Sequence, residues 1–381
     1  MKYFASLMMV FGIGVAGLFL WIVSMATKSQ QFYGAYISIV TIGLMIISVL
    51  LIFEKWKIRA VKIVSIAFFV IAGITVGSYE GYQYYLRSLE IVSTQDVDLK
   101  AYQPFSEDTK AVTLDEDSTF QIEGNLPRLD GATALYPVYS AFAQAVYPDK
   151  EYHESNSEVI SSQTSGAFHN LIDGAVDIAF LAEPSEEQYE QAEKQNMELS
   201  LTSIGREAFV FFVHHNNPVE SLTVEEIQAI YAGEITNWKD VGGNDEEIQA
   251  FQRPEGSGSQ SALIRFMDEK PLMDPPADEI VTGMAGIIRE TSNYRNQRNA
   301  IGYSFRYFLQ EMVENGDIKH VAVNDVAPTK ENIQNNSYPV VAEFYAITAG
   351  SDNPNVPLFI EWIRSPQGQS LVDQTGYVPL P

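Results

Sequence analysis

The stretch Phe251-Gln-Arg-Pro-Glu-Gly-Ser-Gly-Ser-Gln-Ser-Ala-Leu-Ile-Arg-Phe-Met267 reads as the end of a strand, a small-residue loop and the start of a helix. Ala262, Leu263, Phe266 and Met267 fall on one helical face. Ser257, Gly258 and Ser259 stand where that helix begins. The first N–H groups of a helix have no internal partner and sit at the positive end of its dipole. A loop without bulky side chains lets an anion reach them. Arg253, just upstream, can add a charged fork. The chemistry that fits is capture of a small oxyanion. No Gly-Lys-Ser/Thr follows, so the loop is not a P-loop, and it lacks the Gly-x-Ser-x-Gly pattern of a nucleophile elbow.

Two other stretches share this design. Asp130-Gly-Ala-Thr-Ala-Leu-Tyr-Pro137 leads into an apolar helical pattern and places Thr133 near its start. Ser161-Ser-Gln-Thr-Ser-Gly-Ala-Phe-His169 does the same with Thr164, Ser165 and Gly166. Each loop alone also reads as an ordinary N-cap. Three together suit an oxyanion, which needs many donors once it leaves water.

The 381 residues carry a formal charge of −25 and no cysteine. The charge argues against nucleic acid as a partner. The missing cysteines exclude disulfides, thiolate metal sites and a lipidated N-terminal cysteine. The charge is unevenly spread: residues 1–90 hold seven Lys/Arg against three acids, a net +4, which leaves −29 for the remainder. Residues 3–26 and 32–53 are uncharged, and 63–78 form the centre of a third apolar run. About 20 apolar residues cross a bilayer, so residues 1–80 read as a three-span membrane anchor. The first run exceeds the apolar core of a cleavable signal peptide. Lys55, Lys57, Arg59 and Lys62 place the second loop in the cytoplasm by the positive-inside rule. The N-terminus is then inside and the chain beyond about residue 78 outside. Residues 81–112 are polar and aperiodic and read as a stalk, whose first part can continue the third helix.

From 113 onward, strand-like runs (176–181, 208–213, 248–251, 320–323, 344–348) alternate with helical patterns (135–146, 166–173, 224–232, 259–267, 358–364). This alternation predicts an α/β fold with largely parallel sheets. His214-His215 has no third ligand at metal spacing, Ser257 has no base partner, and no metal, cofactor or catalytic constellation emerges.

These residues resemble the phosphate-binding branch of the periplasmic substrate-binding proteins of ABC importers. The matching pieces are the three loops, Asp173-Gly-Ala-Val-Asp-Ile-Ala179, Ile230-Tyr-Ala-Gly-Glu-Ile-Thr-Asn-Trp-Lys-Asp-Val-Gly-Gly243, Ala300-Ile-Gly-Tyr303 and Gly376-Tyr-Val-Pro379. They run in the family's order from about residue 125 to the C-terminus. The resemblance implies a two-lobed, type II-like periplasmic-binding-protein fold with a hinge. Lobe one is expected at 113–207 plus 345–381 and lobe two at 208–344, with crossings near 208–213 and 338–345. It also implies a ligand set: Thr133 and the N–H of Ala134; Thr164, Ser165 and Gly166; Arg253, Ser257, Gly258 and Ser259.

The chain departs from the family after Ala179. It reads Phe180-Leu-Ala-Glu-Pro184 where members place Ser-Asp or Ser-Ser-Arg beside the ligand, so either Glu183, shifted by one, takes the carboxylate's part and reads the ligand proton, or the ligand differs. Glu343 adds negative charge near the site; Arg128 reads either as a surface arginine or as a charge that offsets it. Tyr294, Tyr303 and Tyr307 are candidates for the cleft wall or the core. The resemblance implies a membrane-anchored, outward-facing receptor for phosphate or a similar oxyanion, working with ABC permease subunits and doing no chemistry. A ligand sensor that signals through the spans, and a scaffold that has lost its ligand, are the alternatives.

Overall fold

The computed structural model describes residues 1–24, 30–88, 98–253, 256–274, 297–312 and 318–381. Lys28 and Tyr294 lie outside them. The described chain divides into two units, the first holding the three N-terminal helices and the second the α/β region.

The N-terminal unit consists of α1 (Lys2–Ser24), α2 (Gln30–Ile52) and α3 (Arg59–Ser88). All three are long and apolar enough to cross a membrane. Their packing uses small residues, as close helix contact in lipid requires. A methyl group at Gly17 would run into Thr41, and one at Gly43 into Phe68. Phe32 stacks on Tyr79, and the Tyr33 hydroxyl donates to Glu80. The third helix continues to Ser88, well beyond its apolar core.

The α/β unit has β1 (Leu129–Gly131), α4 (Tyr136–Val146), α5 (Gln163–Ile172), β2 (Ile178–Ala182), α6 (Glu186–Lys194) and β3 (Ser200–His214). Then come β4 (Ser221–Leu222), α7 (Val224–Tyr231), β5 (Gln249–Ala250), α8 (Gly258–Met267), β6 (Ala300–Phe305) and β7 (Ile318–Val323). The chain ends with α9 (Lys330–Gln334), β8 (Val341–Thr348), α10 (Asn355–Ile363) and α11 (Pro366–Thr375).

The long strand β3 organises this unit. Its first half pairs with β8 as far as Ala208, and β8 continues to β2 and β1. From Phe209 it pairs with β6 and β7 instead. Every pairing of β3 is antiparallel, while β1–β2, β5–β6 and β4–β7 are parallel. The sheet is therefore mixed, not largely parallel as strand–helix alternation suggests. The difference arises because β3 runs from one half-sheet into the other and β8 lies antiparallel between β2 and β3, neither as a member of a βαβ unit. The sequence pattern finds only the apolar end of β3, since its first half is polar: Ser200-Leu-Thr-Ser-Ile-Gly-Arg-Glu207.

Burial follows the pleat. On β2, Ile178 and Phe180 join a core with Tyr139, Phe142, Phe359 and Trp362, while Ala179 and Leu181 join Phe168, Leu171 and Ile347 on the opposite face. Helices thus cover both faces of the first half-sheet. A separate core around Phe209, Phe211, Tyr231, Trp238, Leu263 and Tyr303 supports the second half-sheet. Part of the expected stalk also belongs to the packed unit. Leu99, Tyr102, Phe105 and Val112 pack against the first core, and the Phe105 N–H donates to Gln144 Oε1 at 3.1 Å.

Candidate functional site

The three small-residue loops meet at one cavity of about 280 Å³. Thr133 and Ala134 contribute from the first loop, Thr164, Ser165 and Gly166 from the second, and Arg253, Ser257, Gly258 and Ser259 from the third.

Buried Asp130 joins the first two loops. Its Oδ1 accepts the N–H of Gly131 and of Ser162, and its Oδ2 accepts from Asn170 Nδ2, all at 2.7 Å. Burial raises the Asp130 carboxyl pKa, against the pull of these bonds. Gln163, at the start of α5, has φ +63°. A non-glycine residue rarely occupies this left-handed region, so backbone strain sits in the cavity wall.

The second and third loops touch directly. The Ser165 hydroxyl donates to the carbonyl of Gly256 at 2.8 Å. Gly256 has φ +79°, and a Cβ there would fall 2.6 Å from Ser165 Oγ, so only glycine fits. Pro254 and Glu255 lie outside the described residues.

Arg253 supplies the positive charge. Its N–H donates to Gln260 Oε1 at 2.9 Å and to the Tyr303 hydroxyl at 2.7 Å. The residue lines the cavity, and its Nε is buried without a hydrogen-bond partner. Among the described residues no carboxylate lies within ion-pair distance of it. Burial lowers the guanidinium pKa, but arginine stays charged in proteins. A buried cation with an unused donor, facing hydroxyls and helix N-termini, is poised for a negatively charged acceptor.

Glu183 is not in this wall. Ala182, at the end of β2, lines the cavity, and Glu183, in the bend just beyond the strand, does not. The Glu183 carboxylate lies 3.6 Å from Arg265 Nε and is 48% exposed. The carboxylate expected to read a ligand proton thus lies beside Arg265, outside the cavity lining. Arg128 is also placed elsewhere. It binds Asp177 through Nε at 3.1 Å and the Gly174 carbonyl at 3.0 Å, which ties down the edge of the first half-sheet. Tyr303 stands behind Arg253, and Tyr307 is buried in the first core.

The carboxylates that do line the cavity are Glu343 and Glu207. Glu207 has no counterpart in the three loops, and its sequence context offers no signal: a glutamate beside a glycine and an arginine in a polar strand half. Ser304, Phe305, Phe308 and Tyr377 also line it, and the Tyr377 hydroxyl donates to the Ala134 carbonyl. Among the described residues no group of three His, Asp or Glu is placed to hold a metal ion.

Residues 123–367 match the PBP superfamily domain. The phosphate-binding protein PstS of Bacillus subtilis (strain 168) is 24% identical over 257 residues, covering 66% of this chain and 80% of that protein. PstS of Borreliella burgdorferi is 28% identical over 200 residues, covering 51% and 68%. A solved phosphate ABC transporter substrate-binding protein of Clostridium perfringens, with bound phosphate, is 26% identical with a TM-score of 0.49, covering 66% of this chain and 98% of that one.

Proposed function

Since the chain belongs to the PBP superfamily, we propose that it is a membrane-anchored receptor that binds phosphate in the three-loop cavity, reversibly and without chemistry. The observation that carries this reading is the convergence of three helix starts, their hydroxyls and Arg253 on one cavity. Phosphate is the ligand that the names of the Bacillus and Borreliella relatives specify. The hydroxyls of Thr133, Thr164, Ser257 and Ser259 and the N–H groups of Ala134, Ser165, Gly166 and Gly258 donate to its oxygens. Arg253 supplies the charge-assisted contact. The crossings of β3 and β8 between the half-sheets serve as the hinge, and the Ser165–Gly256 bond belongs to the closed cleft.

The three apolar helices hold the receptor on the plasma membrane, with the 54–62 loop in the cytoplasm and the binding region outside. Tethering keeps the receptor at high effective concentration beside the permease subunits that take its ligand. Because the chain has no cysteine, Gln195→Cys gives a unique label site. An impermeant maleimide should modify it in intact cells; labelling only after lysis would reverse the orientation.

Calorimetric titration of the full-length chain in detergent tests the ligand. Phosphate should bind with micromolar or tighter affinity while sulfate does not compete. Absence of heat with phosphate, sulfate, arsenate and molybdate alike would overturn the reading.

A further inference from the structure

Glu207 is a buried carboxylate in the wall of a cavity read as an anion site. It lies on β3 opposite Ala342 of β8, one residue before the last pairing with β8 at Ala208 and two before the first with β6 at Phe209. A strand that switches sheets leaves backbone donors without ladder partners, and a buried N–H without an acceptor is costly. The Glu207 carboxylate supplies acceptors at this point. Its Oε1 takes the N–H of Ala208 at 2.9 Å and its Oε2 that of Tyr307 at 3.0 Å. The crossing therefore uses a carboxylate, and the same carboxylate lines the cavity. Left uncompensated, its charge would repel any oxyanion brought in, with little water to screen it.

Arg306 offsets that charge. Its Nε lies 3.3 Å from Glu207 Oε1, with the two side chains 7% and 4% exposed. Nε makes no aligned hydrogen bond, so this contact is one of charge. The rest of the guanidinium is fixed by other acceptors: Nη1 donates to Gln310 Oε1 at 2.7 Å and Nη2 to the Gly376 carbonyl at 2.6 Å. Arg306 does not itself line the cavity. A buried ion pair gains little net stability over an apolar pair of the same volume. Stability alone is thus a weak reason for this one.

We propose that Arg306 sets the anion affinity of the cavity by cancelling the charge of Glu207, a positioning role one step removed from the ligand. The inference rests on the oxyanion reading above and adds a determinant outside the three loops. It makes the two partners opposite in effect. Without the Arg306 charge the cavity faces a bare carboxylate; without the Glu207 charge it faces an unbalanced cation.

The test is titration of the full-length chain in detergent with inorganic phosphate, with thermal melting of each variant to establish folding. Arg306→Gln should weaken binding roughly tenfold or more. Arg306→Lys keeps the charge but loses the fork to Gln310 and Gly376, and should stay within about threefold of wild type. The double variant Glu207→Gln/Arg306→Gln should regain most of the loss. Equal losses in the Gln and Lys variants would reduce Arg306 to packing and overturn the proposal, as would a double variant as weak as Arg306→Gln. If Arg306→Gln does not fold, Glu207→Gln alone decides: tighter phosphate binding supports the proposal, and unchanged or weaker binding overturns it. A wild-type chain that binds no phosphate would instead overturn the oxyanion reading, and this inference with it. Wild-type binding that is lost in Arg253→Ala but indifferent to Arg306 would leave that reading standing and remove only this inference.

Discussion

The α/β unit contains two kinds of helix start. On α6 and α7 the chain closes its own ends with complete capping boxes: Ser185 with Gln188, and Thr223 with Glu226. Each box satisfies two of the donors that a helix N-terminus leaves open. At the cavity the pattern is different. Ser162 before α5 and Ala132 before the turn Thr133–Leu135 place no side-chain acceptor on the N–H groups that follow. Ser257 accepts only the Gln260 N–H. The same residue types, small and hydroxylated, serve both ends. At the capped ends the hydroxyl turns inward to its own helix, and at the cavity the donors stay available to a ligand. Sequence at a helix start shows that donors exist; the structure shows whether the chain has already used them.

The largest effect should come from the cavity's cation. Arg253→Ala is expected to weaken phosphate binding by roughly a hundredfold, from loss of a charge-assisted contact in a buried setting. Calorimetry measures it directly. Asp130→Ala should follow. It removes the acceptor that holds the first two loops together, and leaves two buried N–H groups unsatisfied, at about 2–3 kcal/mol of stability. Denaturant unfolding measures that loss, and phosphate affinity should fall with it. Thr223→Ala tests the other side of the comparison. It should cost about 1 kcal/mol of stability through the lost cap and leave phosphate affinity unchanged. A variant of this surface cap that weakened phosphate would break the distinction between the two kinds of helix start.

The smallest effect concerns acid stability. Burial, then the nearby Arg306 cation, lowers the His320 pKa to about 4. The folded chain therefore keeps this imidazole neutral, while the unfolded chain takes up a proton below about 6.5. Its contribution is complete above pH 6.5 and is lost as pH falls from there toward 4. His320→Gln should flatten that part of the stability profile by about 1–2 kcal/mol, allowing for the partial exposure of the ring. Unfolding curves at pH 7, 5.5 and 4.5 measure the slope.

The loops were legible because their signal is local: small residues, then a helical apolar face. The apolar ends of the strands and the three long N-terminal helices were legible for the same reason, since burial writes its period into neighbouring residues. What sequence reading missed depends on contacts between distant segments. Glu207 becomes a cavity residue only because β3 changes sheets beside it, and Arg306 meets it from 99 positions away in the chain. Glu183 shows the opposite error. A motif shifted by one residue can restore a carboxylate in sequence, but β2 ends at Ala182 and the chain bends at Glu183, whose carboxylate lies beside Arg265. The antiparallel pairing of β3 was likewise invisible, because its first half is polar and gains its partners through the backbone.

The most direct test is hydrogen–deuterium exchange of the full-length chain in detergent, with and without saturating phosphate. Added phosphate should slow exchange in the segments covering 131–135, 162–166 and 256–259, and leave the capped starts of α6 and α7 unchanged. Protection absent from those three segments, or spread equally over the capped helix starts, would contradict the account.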